Sequence, residues 1–394
     1  MDVFQKCAEN DRAAQVRAAG LYAYYRELDT PQDPVVHRRG GPPLIMLGSN
    51  NYLGLASHPE VKKASGEALE RYGTGCAGSR LLNGTLAIHE ELEERLVAFT
   101  GREAVLTFAT GFQVNLGVLS ALLDRHSTVF LDALDHASLI DGARLGFGSL
   151  RKYRHNDLAD LARKLGRTEE HHGKLIAVDA VFSMEGDLVD LPGIVEMARA
   201  HEARILLDEA HGVGVFGARG RGVAEHFDLE EEVDLVMGTF SKSLAAVGGY
   251  VAGPEPVIDY LRHHSRPAIF SAAPPPASAG AVIAALHLIE REPERRARLW
   301  DNTSFMKREL QGLGFDTGES KSPVIPLMVG SDETCFAMVR RLEEEGVFAN
   351  PVVSPAVPAG NAMIRTSYMA THTREHLERA LEALSTVGRE LAVL

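Results

Sequence analysis

Six short apolar runs, each followed by polar or glycine-rich positions, set the plan of this chain. They are Ala104–Phe108, Thr128–Leu131, Leu175–Phe182, Arg204–Leu207, Leu235–Met237 and Gly249–Ala252. Stretches of helical spacing lie between most of them, such as Leu158–Leu165 and Ile194–His201. Strands alternating with helices predict a mostly parallel sheet covered on both faces. Upstream, Ile88, Leu92, Leu96 and Phe99 recur at helical intervals and predict a helix over Ala87–Thr100, with a charged helix over His58–Tyr72 before it. Gly73–Arg80, between those two, is too rich in glycine for either helix or strand. Residues 1–45 read as a helical arm and a link punctuated by Pro31, Pro34, Gly40, Gly41, Pro42 and Pro43, with Leu44–Leu47 a short strand after it. Around residue 290 the alternation breaks. A long charged helix, Glu292–Gly312, precedes strands near Ser322–Val329 and Met363–Ser367, the pattern of a smaller α+β lobe. Tyr260–Pro276, with its histidines and prolines, reads as a crossing loop between lobes. The expected division is arm and link over 1–45, a large domain over 46–290 and a small domain over 291–394.

At 394 residues and 45% hydrophobic content, the chain can bury a large core. Its formal net charge of −13 argues against nucleic acid as a partner and against a broadly basic membrane face. An anionic substrate must therefore meet a local basic pocket. Cys7, Cys76 and Cys335 are odd in number and far apart, which fits a reduced cytoplasmic protein rather than a disulfide framework or a zinc site. Met1–Cys7 lacks the basic-then-apolar order of a secretory signal. Ala104–Leu123 carries no charge, yet Thr107, Thr110, Gly111, Gln113 and Asn115 make it strand, turn and helix rather than a membrane span. His171 and His172 follow Glu169 and Glu170 in what reads as a solvated loop, so no metal is expected.

Ligands of an open α/β sheet gather beyond the carboxyl ends of its strands, which lets separate pieces be collected into one site. Lys242 follows the run ending at Met237, among the small residues Gly238, Thr239, Ser241 and Ser243. Alone it is an ordinary turn lysine. Thr110, Gly111 and Phe112 follow the first sheet strand and open a helix, an arrangement able to hold an anion. His136 comes after the strand Thr128–Leu131 and could lie flat on an aromatic ring. Ser183 ends its strand as a hydrogen-bond donor. Asp208 ends a very apolar strand, where a carboxylate is costly without a cationic partner such as a protonated pyridine nitrogen. Asp208–His211 also spells a helicase box, but no phosphate loop precedes it, and the acidic charge disfavours nucleic acid. Together these positions suit one cofactor, pyridoxal 5'-phosphate: Lys242 for a Schiff base, Asp208 for the ring nitrogen, the helix-opening turn for the phosphate.

With those positions in view, the chain resembles the fold-type I pyridoxal phosphate enzymes, and among them the α-oxoamine synthases, over about Leu47–Leu384. The motifs that carry the likeness are Asn51–Gly54, Gly75–Arg80, Asp135–Ser138, Phe182–Asp187, Asp208–Gly212 and Gly238–Ser243. The resemblance implies a large domain with a mostly parallel seven-stranded sheet and a smaller C-terminal α+β domain. It makes Lys242 the Schiff-base lysine, Asp208 the ring-nitrogen partner and His136 the stacking residue. It sets Ser183 and His211 near the ring hydroxyl and gives the phosphate to Thr110, Gly111, Phe112, Thr239 and Ser241. Arg365 would receive the substrate carboxylate, with Asn51, Tyr52 and Arg80 also at the substrate. The family condenses an amino acid with an acyl-CoA and loses carbon dioxide. Leu81–Thr85, Phe240–Ser243, Arg266–Phe270 and Asn350–Gly360 look most like its bacterial serine palmitoyltransferase branch, which implies L-serine and palmitoyl-CoA and a first step of sphingolipid synthesis. The alternative is 8-amino-7-oxononanoate synthesis from L-alanine and a pimeloyl thioester. A non-catalytic regulatory subunit of this fold would be marked by loss of the lysine, and Lys242 is present. The resemblance further implies a cytoplasmic homodimer with its site at the interface. Where relatives often give a threonine to the partner's phosphate, this chain has Ala272, with Ser271 beside it as a substitute. A palmitoyl substrate leaves room for a small patch in peripheral contact with the inner membrane.

Overall fold

The computed structural model describes residues 2–394. Seven strands form the central sheet, in the spatial order Ala104–Phe108, Gly249–Gly253, Leu235–Thr239, Arg204–Asp208, Gly173–Asp179, Ser127–Asp132, Ser149–Tyr153. Gly249–Gly253 runs antiparallel to both of its neighbours, and the other ladders are parallel. Alternate residues of each strand enter separate cores. Ile176, Val178, Ile205 and Leu207 face one, while Ala177 and Leu206 face the other with Val114, Val118 and Leu119 of the helix Gly111–Leu122. Burial on both faces explains why these strands read as unbroken apolar runs. Ser149–Tyr153 escaped the pattern because it is an edge strand with polar residues outward.

The C-terminal lobe holds an antiparallel sheet in the order Val324–Gly330, Ala362–Ser367, Asn350–Val352, packed on the helices Pro293–Leu313, Asp332–Glu344 and Arg374–Glu390. A second small sheet joins it to the N-terminal segment: Val35–His37 pairs with Pro43–Met46, which runs parallel to Val347–Phe348. The strand expected at Leu44–Leu47 is thus present as Pro43–Met46, the presumed link contains one further strand, Val35–His37, and its end belongs to the small lobe's packing.

Two other expectations need correction. The strand Gly173–Asp179 stops three residues before Phe182, because Val181 leaves the sheet to bridge Leu188. Tyr260–Pro276 is not a crossing loop. Helices Glu255–His264 and Arg266–Ile269 occupy its first part, and Pro276 opens the helix Pro276–Arg291. Pro267 and Pro276 stand in first helical turns, where a missing N–H breaks no bond, and Pro274 and Pro275 lead into the helix Pro276–Arg291.

Candidate active site

Because Asp179 and Asp208 are register partners at the ends of adjacent parallel strands, their side chains emerge on one face, toward the helix Gly111–Leu122. A cavity of about 340 Å³ opens there, lined among others by Thr110, His136, Asp179, Ser183, Asp208 and Lys242. Gly111, Phe112, His211, Thr239 and Ser241 also border it. Ten expected residues, from four strand ends and one helix start, therefore share one wall system.

Lys242 is half-buried and lines the cavity, and its side-chain amine makes no hydrogen bond or ion pair among the described residues. Burial, only partly offset by Asp208 and Asp179, lowers its amine from 10.5 to about 8. Asp208 is buried and held as an acceptor by Asn115 Nδ2 at 2.7 Å and by the Ala210 N–H at 2.9 Å. The same Asn115 nitrogen donates to Ser138 Oγ at 2.9 Å, and that hydroxyl meets His136 Nδ1 at 2.7 Å. Accepting there, His136 keeps its proton on Nε2 and an exposed ring face toward the cavity. Asp179 accepts the His136 backbone N–H at 2.8 Å, and burial beside Asp208 pushes its carboxyl well up.

At the other end, Thr110 caps the helix by accepting the Gln113 N–H at 3.2 Å. Thr239 Oγ1 and Ser241 Oγ lie 2.9 Å apart, and a Cβ on Gly111 would come within 2.5 Å of Thr239 Oγ1. Glycine at 111 is therefore a spatial requirement, and the result is a cradle of hydroxyls and free N–H groups at a positive helix end. An aromatic ring carrying a phosphate at one end, a basic nitrogen at the other and an aldehyde fits this donor set. The cradle would take the phosphate, Asp208 the nitrogen, and the deprotonatable amine the aldehyde.

Arg365 projects from Ala362–Ser367 beside the cavity. It is buried, donating through Nε to the Ser183 carbonyl at 2.6 Å and through Nη2 to Asn50 Oδ1 at 3.0 Å. Both partners are neutral, and no carboxylate pairs with it among the described residues. A buried cation so placed calls for an anion. Tyr52 is fully buried, with its hydroxyl 2.7 Å from His211 Nδ1. Burial, aided by the charges of Lys242 and Arg365, drives His211 well down, so that ring is neutral.

Three expected contacts are not brought to the cavity of their own chain. Arg80 is committed to Glu90 and Glu93, each at 2.9 Å, and to Thr107 Oγ1 at 2.8 Å. Asn51 instead fastens its own loop, donating to the Gln32 carbonyl and accepting from the Ala56 N–H. Ser271 accepts from Gln113 Nε2 at 3.0 Å on the outer side of the phosphate cradle. Asn115, Ser138 and Asp179 were not foreseen as site residues. For Asn115 the signal was a polar residue between Val114 and Leu116, on the apolar side of its helix with Val118 and Leu119.

A family model described as aminotransferase class I and II matches residues 42–384. A serine palmitoyltransferase of Sphingobacterium spiritivorum is 48% identical over 96% of this chain and 95% of its own. An 8-amino-7-oxononanoate synthase of Thermoanaerobacter pseudethanolicus is 42% identical over 98% and 97%. Among solved structures, a serine palmitoyltransferase from S. paucimobilis with a bound PLP–myriocin aldimine superposes with a TM-score of 0.97, covering all of both chains at 34% identity.

Proposed function

This chain belongs to the α-oxoamine synthase family of fold-type I pyridoxal phosphate enzymes, and from that premise we propose that it joins L-serine to a long-chain acyl-CoA. With palmitoyl-CoA the products are 3-ketodihydrosphingosine, CoA and carbon dioxide. What carries this reading over 8-amino-7-oxononanoate synthesis is the higher identity to proteins named serine palmitoyltransferase, sustained over nearly the whole chain.

Pyridoxal phosphate, when bound, supplies an electron sink for negative charge at the amino acid's Cα. Thr110, Gly111, Thr239 and Ser241 would hold its phosphate, His136 would cover its ring, and Asp208 would keep the ring nitrogen protonated. Asn115 and the Ala210 N–H fix the Asp208 carboxylate in place, so its charge is organised before substrate arrives. Arg365 receives the amino-acid carboxylate and orients Cα toward Lys242. Lys242 Nζ, with an amine near 8, is free to take the Cα proton and later return one. Tyr52 donates to His211 Nδ1 and so leaves the His211 Nε2–H to donate into the cavity.

In this reading the enzyme is a cytoplasmic homodimer. Phe112, Val247 and Phe270 are exposed around the phosphate end, an apolar rim that a second copy would cover. No helix is long and apolar enough to cross a membrane among the described residues. The deciding experiment offers purified enzyme L-serine, L-alanine or glycine with palmitoyl-CoA or pimeloyl-CoA. Turnover with L-serine and palmitoyl-CoA is expected, and turnover confined to L-alanine with the pimeloyl thioester overturns the assignment.

A further inference from the structure

One buried ionic cluster has no task in the chemistry above. His155 follows the edge strand Ser149–Tyr153 and places Nδ1 3.0 Å from Asp132 Oδ1 and Nε2 2.9 Å from Asp187 Oδ2. Both aspartates are buried. Carboxylates accept and do not donate, so each ring nitrogen must carry a hydrogen and the ring is an imidazolium. Burial works against that charge, but the hydrogen bonds and charges of Asp132 and Asp187 outweigh it and raise the ring to about 10. Asn156 repeats the link, giving its N–H to Asp132 Oδ2 at 2.8 Å and Nδ2 to Asp187 Oδ2 at 3.1 Å.

The two ends of this clamp are walls of the site. Asp132 ends the strand whose following turn carries His136. Asp187 closes the loop Phe182–Asp187, where the Phe182 N–H bonds the Asp187 carbonyl at 3.0 Å and the Gly186 N–H bonds the Phe182 carbonyl at 2.8 Å. Ser183 rides on that loop, lines the cavity and gives its carbonyl to Arg365. Among the described residues nothing else ties the Asp187 side chain to the sheet, since its Oδ1 is buried without a partner.

We propose that His155 is a positioning residue: clamped between Asp132 and Asp187, its ring fixes the Ser183 loop and thereby holds Arg365 where it meets the amino-acid carboxylate. This rests on the assignment of Arg365 as carboxylate receptor. His155→Asn keeps one donor and loses both the charge and the second donor. In cofactor-loaded enzyme, L-serine titrated against the cofactor's absorbance should bind on the order of tenfold more weakly. KM for acyl-CoA should be unchanged and kcat at saturating serine within about threefold. In cofactor-free protein, amide exchange of residues 180–188 should quicken while residues 204–208 stay protected. That arm reads the clamp whatever the substrate proves to be, so wild type that ignores serine strikes the functional reading alone. Unchanged serine affinity and unchanged loop exchange overturn the proposal, as does a uniform loss of kcat, both KM values and global stability. Should His155→Asn fail to fold, Asp187→Asn keeps the Asn156 link and is held to the same split.

Discussion

The cavity at Lys242 is smaller than a groove elsewhere on the molecule that carries none of the expected site residues. A groove of about 870 Å³ runs between the N-terminal arm and the small lobe, more than twice the size of the cavity at Lys242. Both are lined by charge, but the charges are kept differently. In the groove, Arg26 and Arg38 meet Glu343, Arg39 meets Glu27 and Arg340 meets Glu344, mostly at the surface. In and beside the cavity, the Lys242 amine has no partner among the described residues, Arg365 has only neutral ones, and Asp179 stands beside Asp208 at matching strand ends. Water and partners settle the first set. The second set is partly withdrawn from water in an unsettled state that a ligand would complete, and that, rather than volume, marks a candidate site.

The sharpest break of this contrast is removal of the unpartnered amine. Lys242→Ala should lower turnover on the order of 10⁴-fold while leaving cofactor able to bind through the phosphate cradle and Asp208. Stopped assays with dialysed, cofactor-saturated protein read both quantities. An active Lys242→Ala enzyme ends the assignment. Arg365→Ala comes next, weakening L-serine by about 2–5 kcal/mol because a desolvated ion pair is lost. An unchanged serine affinity removes Arg365 from the substrate.

The amine also leaves a mark on stability. In the unfolded chain Lys242 titrates at its ordinary 10.5, but in the fold at about 8. Between those values the unfolded state binds more protons, so the cofactor-free protein gains stability as pH rises from about 8 to 10.5. The gain is at most about 3 kcal/mol, less as water in the cavity screens the charge. Below pH 8 the full cost remains. Urea unfolding of cofactor-free wild type against Lys242→Met isolates it, and parallel pH curves for the two proteins would falsify the depressed amine.

Much of the cavity was legible because its residues sit at ends of runs that read plainly as strands: Asp208 after Leu207, Lys242 after Met237, His136 after Leu131. Apolar runs buried on both faces are loud in sequence, and the sheet's geometry then gathers their ends. What was lost follows the same logic. Asp179 was hidden inside the run Leu175–Phe182, since Ala180, Val181 and Phe182 are as apolar as the strand they leave. His155 follows an amphipathic edge strand and sits in polar company, so nothing separates it from a surface histidine until Asp132 and Asp187 arrive from elsewhere. Arg80 looked free in a glycine-rich loop. Glu90 and Glu93, one turn apart on the next helix, were the visible warning that it had partners.

The smallest effect tests the quiet half of the comparison. Arg39 and Glu27 pair at 2.7 Å with both side chains mostly exposed, so Arg39→Ala should shift stability by less than about 0.5 kcal/mol. Acyl-CoA carries several negative charges. If the groove received its nucleotide end, losing Arg39 would raise the KM for acyl-CoA and flatten its dependence on salt, since screened attraction is what salt removes. A settled groove predicts neither change. Steady-state KM for palmitoyl-CoA, measured at low and physiological ionic strength in both proteins, should superimpose. A rise confined to the variant at low salt would mean that paired charges at a surface can still recruit an anion, and that the cavity's uncompensated charge is only part of how this molecule meets its substrates.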